Sequence, residues 1–243
     1  MEIASIDIFL RLFAAHLVAD FILQPKQWVA NKNKASFKAA GLYYHLLIVG
    51  VTSYLFLGIW NNWQIPVILV ISHFIIDLIK INQQKQLTMW FVIDQFLHLL
   101  VILLCWLILT DQIKNVSHII VTGSLTNQKL WLIAIGYLIN TKPLAILIGH
   151  ISVNFRKQIA EEDNESLNRA GEWIGMLERI LVFTFCITNA IQVVGFLIAA
   201  KSIFRFGDLR ETTDRKKTEY IFIGTLLSFT FAILIGLLIN AVI

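Results

Sequence analysis

The stretch Arg11-Leu-Phe-Ala-Ala-His16-Leu-Val-Ala-Asp20-Phe-Ile-Leu-Gln24 sets a histidine and an aspartate four residues apart in an otherwise apolar run. On a helix that spacing puts both side chains on one face, one turn above the other. An ionisable side chain inside a hydrocarbon layer is costly, so each one marks a candidate functional position. The arrangement recurs. Ser72-His73-Phe-Ile-Ile-Asp77 keeps the order, and Asp94-Gln-Phe-Leu-His98 reverses it.

The chain around these pairs is apolar. Of 243 residues, 57% are hydrophobic and 15% charged, and the mean hydropathy is +0.72. A soluble domain holds about 45–50% apolar and about 25% charged residues. The excess falls in runs of roughly 20 residues, the length that crosses a bilayer. Three prolines and long Leu/Ile/Val/Phe blocks favour helices over the short alternating strands of a barrel. The expected class is all-α, a polytopic transmembrane helical bundle with about 7–8 hydrophobic segments. Residues 1–110 form its four-helix core and residues 111–243 a C-terminal half.

The first span is expected over 5–24, ended by Pro25 and retained, because no small-residue cleavage site closes it. The next three follow over roughly 41–60, 65–81 and 89–110. The loop after the first span carries Lys26, Lys32, Lys34 and Lys38 with no acid, and the loop after the third carries Lys80 and Lys85. The positive-inside rule puts both loops in the cytoplasm and the N-terminus outside. These lysines set topology and can also gather an anionic headgroup. At 1.5 Å per residue, His16, Asp20, His45, His73, Asp77, Asp94 and His98 then share a layer roughly 6–12 Å below one membrane face. The reversed order on the fourth span is what an antiparallel neighbour needs to set aspartate level with aspartate.

Beyond residue 110 the pattern is less regular. Residues 111–128 read as a mixed loop containing His118. Residues 129–155 are apolar but interrupted at Asn140-Thr-Lys142-Pro143, as one kinked span or a re-entrant hairpin. A charged loop over 156–170 precedes a long helix over 171–200, a basic connector from Lys201 to Lys217, and a last span over 218–243. A cytoplasmic connector requires 129–155 to cross twice or dip and return, which favours the hairpin. Glu172, Glu178 and Arg179 read as an ion-paired helix start or as a substrate-orienting patch. His118 and His150 are weaker candidates than the paired histidines.

The three pairs together with His45 pool four imidazoles and three carboxylates. Such a set exceeds one tetrahedral zinc and suits one ion with a base and orienting partners, or two ions. Mixed nitrogen and oxygen ligands fit a divalent transition metal, zinc first, rather than calcium or magnesium. His16, Asp20, His73, Asp77 and His98 lead as ligands, with His45 and Asp94 as ligand or orienting partner. Asp94 and Asp20 are the candidate general bases for a metal-bound water. The same residues could instead pass protons or cations, or hold a purely structural network. Cys105 and Cys186 lie within apolar runs without CxxC spacing, which argues against a thiolate zinc site and a disulfide framework and for small apolar packing residues. No GxSxG occurs, and the lysines sit between spans, which leaves no role for nucleic acid.

The opening His16-x-x-x-Asp20-Phe-x-Leu-Gln24, the His73/Asp77 pair, Gly171-Glu-Trp-Ile-Gly-Met-Leu-Glu-Arg179, Ala200-Lys-Ser-Ile-Phe-Arg-Phe206 and Glu219-Tyr-Ile-Phe-Ile-Gly-Thr-Leu-Leu-Ser228 resemble a family of bacterial integral membrane proteins known as a domain of unknown function. The family domain is expected over about the first half of the chain, the later stretches resembling its longer members. The His/Asp pattern is also similar to membrane-bound metal-dependent hydrolases. These resemblances imply the bacterial cytoplasmic membrane. The expected function is a membrane-embedded metal-dependent hydrolase acting on a lipid or lipid-linked substrate near the cytoplasmic leaflet. The alternatives are a cation or proton transporter or channel, and a non-catalytic membrane scaffold.

Overall fold

A computed structural model of the protein describes residues 3–81, 83, 88–115, 125–158, 170–205 and 212–243. Helices make up the regular structure, with no strand among the described residues. Ala40–Leu57, Gln64–Ile81, Thr88–Thr110 and Thr218–Val242 are long and apolar enough to cross a membrane. The pair Gln128–Ile139 and Lys142–Ile151, bent by 43°, is a broken span or a re-entrant loop and brings the number to at most five. These helices are consistent with an integral membrane protein. Seven or eight spans are not reached among the described residues, because two of the expected long helices are interrupted.

The chain divides into two compact units, Met1–Ile135 and Gly136–Ile243. In the first, α1 (Ile3–Leu17) passes into a single π turn, Val18–Ile22, closed by Leu23 N–H on the Val18 carbonyl at 2.9 Å. Extended Pro25 then opens α2 (Lys26–Ala35). The lysine-rich connection expected as a loop is therefore largely helical. Trp28 and Lys32, one turn apart, form its inward face. Gly41 allows that face to close on α3 (Ala40–Leu57), since a Cβ there would lie 3.0 Å from the Trp28 Cα. Gly58, at φ 66°, ends α3 in the left-handed conformation that glycine adopts without strain.

Pro66 lies in the first turn of α4 (Gln64–Ile81), where a missing N–H costs no helical bond. The next helix is α5 (Thr88–Asn115). Ile8 and Leu12 of α1, Leu57 of α3, Ile65 and Leu69 of α4, and Ile102, Cys105 and Leu109 of α5 form one buried cluster. All come from the end of the unit at which α1 and α4 begin and α3 ends. The other end is left to the polar pairs.

The second unit takes in the end of α6 (Leu125–Ile139), then α7 (Lys142–Ile151), α8 (Val153–Arg156), α9 (Ala170–Ile187), α10 (Gln192–Arg205) and α11 (Thr212–Val242). The helix expected over 171–200 is two. Asn189 adopts φ 60°, Ala190 N–H bonds the Phe185 carbonyl at 2.8 Å, and Asn189 N–H bonds the Cys186 carbonyl at 3.3 Å. This Schellman arrangement ends α9, with asparagine in the place glycine usually takes. Gly236 of α11 lies against Cys186 of α9, where a Cβ would come within 2.5 Å of the Cys186 Cβ. His118, Lys85 and Arg210 lie outside the described residues.

Candidate metal centre

Four helices of the first unit carry the expected residues to one place. His16 lies in the last turn of α1, Asp20 in the π turn, His45 near the start of α3, His73 and Asp77 toward the end of α4, and Asp94 and His98 near the start of α5. All seven are buried or nearly so. The π turn re-aims the residues that follow α1, and such turns recur at functional sites. Here it holds Asp20 at the centre.

Oδ1 of Asp20 lies 3.5 Å from Nδ1 of His16, 3.6 Å from Nε2 of His45 and 3.6 Å from Nε2 of His73. The same oxygen is buried and takes no hydrogen bond from any described residue. A buried carboxylate oxygen left in that state is costly. Ligand atoms at about 2.0–2.1 Å from a tetrahedral zinc stand roughly 3.3–3.4 Å apart, close to these separations. The Nε2 atoms of His45 and His73 approach to 2.8 Å.

Hydrogen bonds fix two of the tautomers. The Gln95 amide donates from Nε2 to Oδ2 of Asp94 at 3.0 Å, so its Oε1 faces Nε2 of His16 at 3.2 Å and accepts from it. The proton on Nε2 leaves the lone pair of His16 on Nδ1, the atom facing Asp20. His98 donates from Nδ1 to the Asp94 carbonyl at 2.7 Å. Its lone pair therefore lies on Nε2, which is buried and unpartnered among the described residues. The His98 ring centre is 4.1 Å from that of His73 and 5.1 Å from that of His16.

Two sets of three could hold an ion: His16, Asp20 and His73, and His45, His73 and Asp77. Both use His73, whose Nε2 faces Asp20 at 3.6 Å and Asp77 at 4.0 Å. One nitrogen lone pair binds one metal, so the two sets compete for a single ion.

Asp77 and Asp94 differ from Asp20 in being held by ammonium groups. Lys32 of α2 reaches Oδ2 of Asp77 at 2.5 Å, and Lys80 of α4 reaches Oδ2 of Asp94 at 2.6 Å. Lys32 is 5% exposed. It is therefore a member of the site and not only a topological charge. Its signal in the sequence is the Trp28/Lys32 spacing on a short amphipathic helix. Gln95 was hidden for a simpler reason: it is an amide between two more conspicuous residues.

The second unit holds a separate polar group. Arg179, 4% exposed, donates from Nε to the Asn140 carbonyl at 2.8 Å, from Nη2 to the Thr141 carbonyl at 3.1 Å and from Nη1 to Ser228 Oγ at 3.3 Å. These carbonyls lie at the break between α6 and α7, which the guanidinium caps. Glu178 pairs with Lys201 at 2.5 Å. His150 falls in this unit, at the end of α7.

Residues 8–126 match the model of the family described as Protein of unknown function (DUF3307). Residues 8–126 are thus similar to that family's domain, and the matched stretch includes all seven cluster residues with Lys32, Lys80 and Gln95. Its extent agrees with the half-chain expected from the opening motif. No curated protein and no solved structure matches the chain.

Proposed function

We propose that the domain binds one divalent transition metal, with zinc preferred, and hydrolyses a lipid or lipid-linked substrate at one face of the bacterial cytoplasmic membrane. The observation that carries this reading is Oδ1 of Asp20, buried and unbonded among the described residues, with nitrogens of three imidazoles at 3.5–3.6 Å. His16, Asp20 and His73 would hold the ion, and His45 and His98 Nε2 offer further positions beside them. Asp77 is the ligand that would have to leave Lys32 first. The lysine-rich side of the cluster would be cytoplasmic and the N-terminus outside, by the positive-inside rule.

A bound ion supplies a water whose pKa is lowered toward neutrality. Asp94 is the base in this reading, because its Oδ1 accepts no hydrogen bond from the described residues while Oδ2 is held by Lys80 and Gln95. It would take a proton as the water oxygen adds to the acyl carbon or phosphorus. The bond to the leaving oxygen or nitrogen then breaks, and that atom receives the proton.

The test is metal loading followed by product analysis. Detergent-purified protein is incubated with zinc or manganese, dialysed, and mixed with phosphatidylethanolamine and phosphatidylglycerol. Metal retained on the protein, with lipid products lost on chelation and in Asp94→Asn, supports the reading. Protein that retains metal but forms no product refutes hydrolysis of these lipids.

A second reading is favoured by one feature, the run of imidazoles from His45 to His73, His98 and His16. Such a run can relay protons. Reconstituted vesicles discriminate: a relay carries H⁺ without product, and a hydrolase forms product without flux.

A further inference from the structure

The two lysines divide the polar groups of this site unequally. Lys32 is on α2, a short polar helix that lies outside the apolar helices and folds back on α3. Lys80 is at the end of α4, with its side chain 41% exposed and its ammonium 5.9 Å from the Phe91 ring centre. They reach the cluster at different carboxylates, Lys32 at Asp77 and Lys80 at Asp94. Each ammonium has three protons, and the contacted carboxylate oxygen takes one of them.

Charge decides what such a site accepts. Asp20, Asp77 and Asp94 carry three negative charges, Lys32 and Lys80 carry two positive ones, and ligand imidazoles are neutral. The site as built is thus one charge negative. A divalent cation makes it one charge positive, with two ammonium groups at its edge. A buried surplus charge is costly and calls for a counter-charge. A neutral ester or amide would leave that surplus in place. A singly charged phosphate group, a diester or a monoprotonated monoester, cancels it, and its oxygens can be shared between metal and ammonium.

We propose that Lys32 and Lys80 make the metal-loaded cluster selective for a phosphate group, taken from an anionic lipid headgroup. Lys32 is the principal contact, because its helix is held by Trp28 against Gly41 rather than by a membrane span. The proposal rests on the metal reading above and narrows it to phosphate-bearing substrates.

The experiment uses the full chain in neutral nanodiscs, loaded with zinc, with zinc content measured on every sample. Inorganic phosphate, short-chain phosphatidic acid and the matching diacylglycerol are titrated as probes. Phosphatidic acid should bind at least about tenfold more tightly than diacylglycerol, and free phosphate should bind more weakly than the lipid. Lys32→Gln should lose that preference while keeping zinc, and Lys32→Arg should retain it. Because Lys32→Gln leaves Asp77 without its partner, the double variant Lys32→Gln/Asp77→Asn is measured beside it. The double variant keeps the net charge, so a lost preference there reports the ammonium itself. Tighter binding of free phosphate than of phosphatidic acid would overturn the lipid source. Zinc bound with no preference for phosphate would overturn the proposal and leave the metal reading intact. A wild-type protein that takes up no zinc would remove the metal reading, and this proposal with it.

Discussion

His45 and His73, 28 residues apart in the chain, bring their Nε2 atoms to 2.8 Å in the buried end of the first unit. Two neutral imidazoles meet in this way only if one donates and the other accepts. His45 Nδ1 is buried and unpartnered among the described residues. Whichever nitrogen of His45 carries the proton, a polar atom remains unsatisfied. A cation among His45, His73 and Asp20 would relieve the contact between the two Nε2 atoms, because both lone pairs and the carboxylate could then face it, with the His45 proton on Nδ1.

Asp20 is the group on which the cluster converges. Asp20→Asn keeps the size of the side chain and removes its charge. Zinc affinity should fall by on the order of 100-fold, since even partners outside the ligand set are worth about 10–100-fold. Helix content, read by circular dichroism, should be unchanged.

The Lys32/Asp77 pair should show strong coupling. Lys32→Met leaves a buried carboxylate alone and should cost about 3–5 kcal/mol, whereas replacing both partners by apolar groups should cost far less. A double-mutant cycle in a reversible SDS titration measures this. A double-variant cost equal to the sum of the two single costs would show that the pair is not coupled.

How much of this was visible in the sequence depended on the residue type. Histidine and aspartate four apart inside an apolar run are conspicuous because a membrane span has no ordinary use for them, so six of the seven cluster positions could be placed together from spacing, and His45 joined them by its depth in the second span. Lys32 was not legible as a site residue, since a lysine between two spans also satisfies the positive-inside rule. The π turn after Leu17 and the Schellman end at Asn189 were invisible for a different reason. Both change the backbone within runs that remain apolar on either side, and neither carries the glycine or proline that usually marks such a change. Arg179 could be flagged as unusual, but its partners are backbone carbonyls, which no sequence pattern marks.

Arg179 should be sensitive to conservative replacement. Arg179→Met strips the Asn140 carbonyl of its donor and leaves the Thr141 carbonyl only the Ala145 N–H at 3.3 Å, at about 1–3 kcal/mol for the buried Asn140 acceptor. Arg179→Lys should recover only part of this, because one ammonium cannot span three acceptors spaced for a guanidinium. Thermal unfolding in detergent gives the order wild type, then Lys, then Met.

Gly236 tests the packing of α9 on α11. Gly236→Ala adds a methyl within 2.5 Å of the Cys186 Cβ and should cost about 1–3 kcal/mol by overpacking. Cys186→Gly should restore part of the loss in the same background, and Cys186→Ala should not, because the clash is with the Cβ.

Metal content bears most directly on the central claim. Protein purified in detergent, dialysed against zinc and then against metal-free buffer, is measured by elemental analysis beside His73→Gln. The account predicts about one zinc ion per wild-type chain, held by imidazole and carboxylate, and close to none in the variant. Wild-type protein that is folded and carries no more zinc than His73→Gln would contradict it.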